Sequence, residues 1–146
     1  MSVDAVEVGA APATLGSDVG LLVVGGPTHA FGLSRATTRA DAMVKATRPL
    51  ISRGIGIREW MAAVGAASPG VAAAAFDTRI DKPRVPGSAA RGAAKRLRHL
   101  GFRLACPAAS YFVTDTAGPL VPGEVERARD WGEKLALDLA LAKPAP

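Results

Sequence analysis

Residues 19–35 read VGLLVVGGPTHAFGLSR, and the fold turns on how this stretch is parsed. The apolar run 21–24 breaks off at Gly25-Gly26-Pro27, and a short loop with Thr28, His29 and Phe31 follows. An apolar run without alternation is what a strand buried on both faces requires, which means a parallel sheet covered by helices. Ligands of such sheets sit at the carboxyl ends of the strands. The loop is therefore the first place to look for a site.

Working outward, residues 71–76 form a second continuous apolar run and a second central strand. A polar loop over 77–87 leads to Ser88, which suits an N-cap for a helix reaching Leu100, with Ala90, Ala93, Ala94 and Leu97 facing inward. Gly101 supplies the stop. Residues 102–105 and 111–114 read as strand pieces interrupted by Pro107. Pro122-Gly123-Glu124 opens a last helix with the stripe Val125, Ala128, Gly132, Leu135, Leu139 and Ala142, and a frayed tail follows over 143–146.

Towards the N-terminus, residues 5–8 alternate like an edge strand. Thr37 or Thr38 caps an expected helix to about Thr47, and Ile57, Trp60, Met61 and Val64 make a further short stripe closed by Gly65. Strand and helix alternate, as in a doubly wound α/β domain. The first two strands are joined by only about ten residues, whereas parallel neighbours need a crossover of a dozen or more. One strand and one helix are thus expected to be missing before Met1.

Composition bounds the rest. The chain has 146 residues, 49% hydrophobic content and 5% aromatics, with mean hydropathy +0.19, which suits one domain with a real core. No apolar stretch approaches the roughly 18 residues of a membrane helix, and the start lacks a basic leader. The lone Cys106 excludes an internal disulfide and fits a reducing cytoplasm. His29 and His99 with that one cysteine give no metal set. The net charge is +5. Arg91, Lys95, Arg96, Arg98, His99 and Arg103 form the densest basic cluster, with Arg91, Lys95 and Arg98 on one helical face. That is the outer surface of a helix in one reading and a phosphate-backbone footprint in the other; without a recognition motif, nucleic acid is disfavoured as a partner.

The loop from Gly25 to Gly32 is similar to the G-[ST/G]-P-T-x-x-(F)-G loop that follows the third strand of flavodoxins and flavin-dependent quinone reductases. Gly56-Ile57-Arg58-Glu59-Trp60, Ala74-Ala75-Phe76-Asp77-Thr78-Arg79, Gly87-Ser88-Ala89-Ala90, Gly101-Phe102 and Gly118-Pro119-Leu120 then follow in the order found in flavodoxin-like proteins of actinobacterial type. The chain resembles that family over roughly residues 3–142, as a single incomplete domain. The resemblance implies a three-layer doubly wound parallel sheet of order 2-1-3-4-5, here without strand 1 and helix 1, and FMN at its carboxyl edge.

By that likeness Pro27, Thr28, His29, Ala30, Phe31 and Gly32 flank the flavin ring on one side, and Asp77, Thr78 and Arg79 on the other. Thr28 reads equally as a hydrogen-bond partner of the cofactor and as a loop hydroxyl capping backbone. His29 and Phe31 are candidates for stacking, or for a solvated ring and an anchor to the sheet. Asp77 would lower the potential of a nearby ring and Arg79 would raise it, unless the two form a surface ion pair. Cys106 reads as a small buried hydrophobe, and Trp60 and Trp131 as core.

One element of the family pattern is absent. No T-x-T-G-N-T or S-x-x-G-x-T precedes a helix anywhere in the sequence, so the phosphate loop of the first strand is missing. The expectation is an electron-transfer domain, rather than an enzyme by itself, with impaired FMN affinity and an unidentified redox partner. The alternative is a non-catalytic relic that dimerises through open sheet edges.

Overall fold

The computed structural model describes residues 1–28, 55–66, 68–82 and 86–142. The expected helix near 37–47, together with His29, Ala30, Phe31 and Gly32, lies outside them. Among the described residues there are four strands: β1 (Leu21–Pro27), β2 (Ala72–Ile80), β3 (Arg103–Leu104) and β4 (Ala109–Val113). Three α-helices accompany them: α1 (Ile57–Ala63), α2 (Ala89–His99) and α3 (Glu124–Ala142).

All strand pairs are parallel, and β2 is central. β1 pairs along β2 from Leu21↔Ala72 to Pro27↔Thr78. β3 pairs with Ala72 and Ala73, and β4 with residues from Phe76 to Ile80. Since β1 occupies one edge of β2, β3 and β4 share the other as two pieces of one interrupted strand. Pro107, which cannot donate to a ladder, lies in the gap. The result is an open, mostly parallel α/β sheet flanked by helices.

Alternation along β2 sorts the layers. Ala73, Ala75 and Asp77 face α2, where they join a core of Val24, Trp60, Met61, Ala93, Ala94 and Leu97. The opposite face carries Phe76, which meets the Trp131 ring of α3 edge-on at 5.9 Å and Tyr111 at 6.1 Å. Ala72, Ala73, Ala74 and Ala75 are at most 1% exposed. A methyl-lined strand is what burial on both sides demands when helices approach closely.

Both ends of α2 follow from sequence. Ser88 accepts from the Arg91 amide at 3.2 Å, the expected N-cap bond. At the other end, Phe102 N–H donates to Leu97 O and Gly101 N–H to Arg98 O, with Gly101 at φ 91°. These two bonds define a Schellman stop, which requires a left-handed residue after the helix.

Two expectations are corrected. Residues 5–8 do not form an edge strand: the chain there ends in a single 3-10 turn, Val8–Ala10, whose N-cap Glu7 accepts from Gly9, and Val6 is 55% exposed. A side chain that bonds its own backbone two residues on competes with strand pairing. The long stripe assigned to α3 is also too broad. Only Leu135 is buried on that helix, and Val125 is 51% exposed. Of the expected stripe Leu135 packs inward and Leu139 reaches Gly20, and Trp131 joins them by meeting Phe76.

The N-terminal segment is stapled to α1 by Trp60, whose indole N–H donates to Pro12 O at 3.0 Å. Trp60→Phe keeps an aromatic ring but removes that bond and part of a buried side chain, so it should cost about 2–3 kcal/mol. Limited proteolysis is the check: cleavage within residues 1–20 should accelerate while the rest of the chain stays protected.

Candidate functional site

The sheet brings two of the predicted segments together at its carboxyl edge. Pro27 lies opposite Thr78, and Thr28 N–H donates to Thr78 O at 2.9 Å. β2 runs on through Thr78 and Arg79 to Ile80, so these residues belong to the strand's last turns of pleat rather than to a loop. Asp77 and Arg79 point to the α2 side and Thr78 to the α3 side, by alternation. Pro27 is exposed, while Thr28, Thr78 and Arg79 are half-buried.

Asp77 is different: it is 0% exposed. Its Oδ2 accepts from Ser88 Oγ at 2.6 Å, Thr28 Oγ1 at 2.9 Å and the Ala90 amide at 3.0 Å. Thr28 Oγ1 in turn accepts from the Ala89 amide at 3.0 Å. With Ser88 Oγ holding the Arg91 amide, the first three N–H groups of α2, those of Ala89, Ala90 and Arg91, all have side-chain partners. A buried charge is tolerated only when its lone pairs are bonded in this way.

The electrostatics agree with that role. Burial pushes the Asp77 carboxyl up, but hydrogen bonds from Ser110, Ser88, Ala90 and Thr28 outweigh it and hold the group below the usual carboxylate range. Ser110 is the register partner of Asp77 on β4. Its hydroxyl favours the charge without giving Oδ1 a bond of good geometry, and Oδ1 stays buried and unpaired. The N-terminus of α2, otherwise a ready anion site, is thus sealed by the chain's own carboxylate.

The neighbouring end of β4 is latched by α3. Glu124 accepts from the Phe112 amide at 2.8 Å and from Arg127. The Arg127 guanidinium covers the Tyr111 ring 4.6 Å from its centroid. Tyr111 O–H is buried without a partner, and burial pushes its pKa up. Cys106 is half-buried, and burial likewise pushes its thiol up, which is the opposite of an activated thiolate.

Sequence reasoning named Thr28 and Asp77 but connected neither to Ser88, and it did not name Ser110. The available signal was a lone carboxylate terminating an otherwise alanine run, since such a charge must recruit donors. Among the described residues, no group of His, Cys, Asp and Glu could hold a metal ion, and no helix is long and apolar enough to cross a membrane. Comparison with known proteins finds no matching family model, no matching curated protein and no matching solved structure.

Proposed function

We propose that the chain is a flavodoxin-like domain whose carboxyl-edge segments hold a flavin by its ring and not by its phosphate. The observation that carries this reading is the juxtaposition of Pro27 and Thr28 with Thr78 at one end of parallel strands. That is where open α/β sheets take their ligands. When bound, the flavin would supply one- or two-electron chemistry. The residues of this chain would orient the ring between Pro27 and Thr28 on one side, and Thr78 and Arg79 on the other.

The residues present are a poor fit for a phosphate. The sequence has no T-x-T-G-N-T loop, and the α2 N-terminus already holds the Asp77 carboxylate, which would repel an anion. Each missing charge-assisted hydrogen bond would forgo about 1.5–3 kcal/mol. FMN and riboflavin should therefore bind with affinities within a few-fold of each other, and the purified chain should carry little yellow colour. Fluorescence titration with both flavins tests this. Absence of saturable binding by either one removes the reading, and a hundredfold preference for FMN places a phosphate cradle in the chain after all.

A second reading has an observation in its favour. Among the described residues β1 pairs with β2 alone, and its Val23 is 41% exposed. An unpaired strand edge is a template for another chain. A non-catalytic module that dimerises there would elute as a dimer in size-exclusion chromatography whether or not flavin is added.

A further inference from the structure

The outer surface of α2 has a composition that the fold does not require. Its inner arc, Ala89, Ala90, Ala93, Ala94 and Leu97, is buried. Everything else on the helix is exposed and reads Arg91, Gly92, Lys95, Arg96, Arg98 and His99. No acid occurs on the helix, and among the described residues none of these side chains makes an ion pair. Arg103 does not belong to this surface. Its register partner Ala72 faces α3, and it lines a small cleft with Leu135 and Leu139.

This arrangement works against the helix. Arg91 and Lys95 are four apart and Lys95 and Arg98 three apart, so like charges stack along one line. Arg91 also sits in the first turn, where the helix dipole disfavours a cation. Only the cations of the last turn are favoured by the dipole. The other long helix is the internal contrast: α3 mixes Glu124, Glu126, Arg129, Asp130, Glu133, Lys134 and Asp138 along its length. A local rule broken on one helix and kept on another marks a surface shaped by what it meets.

We infer that the outer face of α2 binds the phosphate backbone of duplex nucleic acid without reading its sequence. A phosphate row asks only for cations. An acidic protein partner would need aromatic or apolar anchors between the charges, and this face has none. A single strand would need stacking rings, and base recognition would need Asn, Gln or a fixed Arg fork; these too are lacking. This inference is independent of the flavin reading.

The test is fluorescence anisotropy of the full chain with a labelled 20-base-pair duplex, across a salt series. With Arg91, Lys95, Arg96 and Arg98 engaged, the slope of log affinity against log salt should be about −3.6. Raising salt from 50 to 200 mM should then weaken binding about 150-fold. The triple variant Arg91→Ala, Lys95→Ala, Arg98→Ala should bind weakly with a slope near −0.9, losing only about 3.5-fold over the same range. A second triple variant, Arg103→Ala, Arg129→Ala, Lys134→Ala, removes the same charge from other exposed positions and should retain the wild-type slope. Two unrelated duplexes should bind alike. Equal losses in the two variants, no retention of duplex at 50 mM salt, or stronger binding to poly-glutamate or to phosphatidylserine vesicles would each overturn the assignment.

Discussion

Replacing Asp77 with alanine should lower the melting temperature by roughly 10 °C, corresponding to about 3–4 kcal/mol. The substitution removes the acceptor shared by Ser88, Thr28 and the Ala90 amide. The two hydroxyls can turn elsewhere, but the Ala90 amide is buried and loses its only bond. Asp77→Asn can keep its oxygen at the Oδ2 position, where all three donors converge, and loses only the charge, so it should cost about half as much. The pH dependence separates charge from shape. The folded carboxyl titrates below its unfolded value of about 3.9, so the unfolded chain binds the proton first. The stabilisation is therefore complete above that range and is lost as pH falls through it. Thermal unfolding followed by circular dichroism should show the gap between wild type and Asp77→Asn narrowing from pH 6 to pH 3. A gap that stays constant would mean that the charge contributes nothing.

Gly25→Ala should be the most damaging single-methyl addition, at about 2–3 kcal/mol. A Cβ at Gly25 would lie 2.1 Å from two atoms of the Phe76 ring. That ring cannot swing away freely, because Tyr111 and Trp131 pack edge-on against it and against each other. Glycine here is a matter of space, and the strand conformation would admit any residue. A double-mutant cycle isolates the clash. Phe76→Ala alone should cost about 3–5 kcal/mol through the lost ring. In that background Gly25→Ala should become nearly neutral, giving a coupling of about 2 kcal/mol. Additive losses in denaturant titrations would show that the methyl group meets something other than the ring.

β2 was legible because burial on both faces leaves no room for polar residues, and residues 71–76 show none. The same pattern over 21–24 located β1 but misjudged its place, since among the described residues β1 pairs with β2 alone and Val23 is 41% exposed. Ser88 and Gly101 were legible because capping is local chemistry, readable within four residues. The Asp77 network was not, since Thr28 lies 49 residues from Asp77 and meets it only through the strand register. Residues 5–8 failed for the converse reason. Alternation describes a strand only if a partner strand exists, and periodicity carries no information about partners. The excess breadth of the α3 stripe has a similar origin: i, i+3, i+4 spacing marks apolar positions whether or not a neighbour covers them, and Val125 stays 51% exposed while Leu135 is buried.

The methyl-lined seam between β2 and α2 has one more consequence. Where Ala73 and Ala75 oppose Ala89, Ala93 and Ala94, the layers close on each other like the leaves of a shut book, and nothing the size of a metabolite can be held between the pages. Among the described residues, a guest on this side of the sheet has to lodge along the margins of that seam. Evolution can then alter what is bound by rewriting the rim, while the spine keeps its alanines.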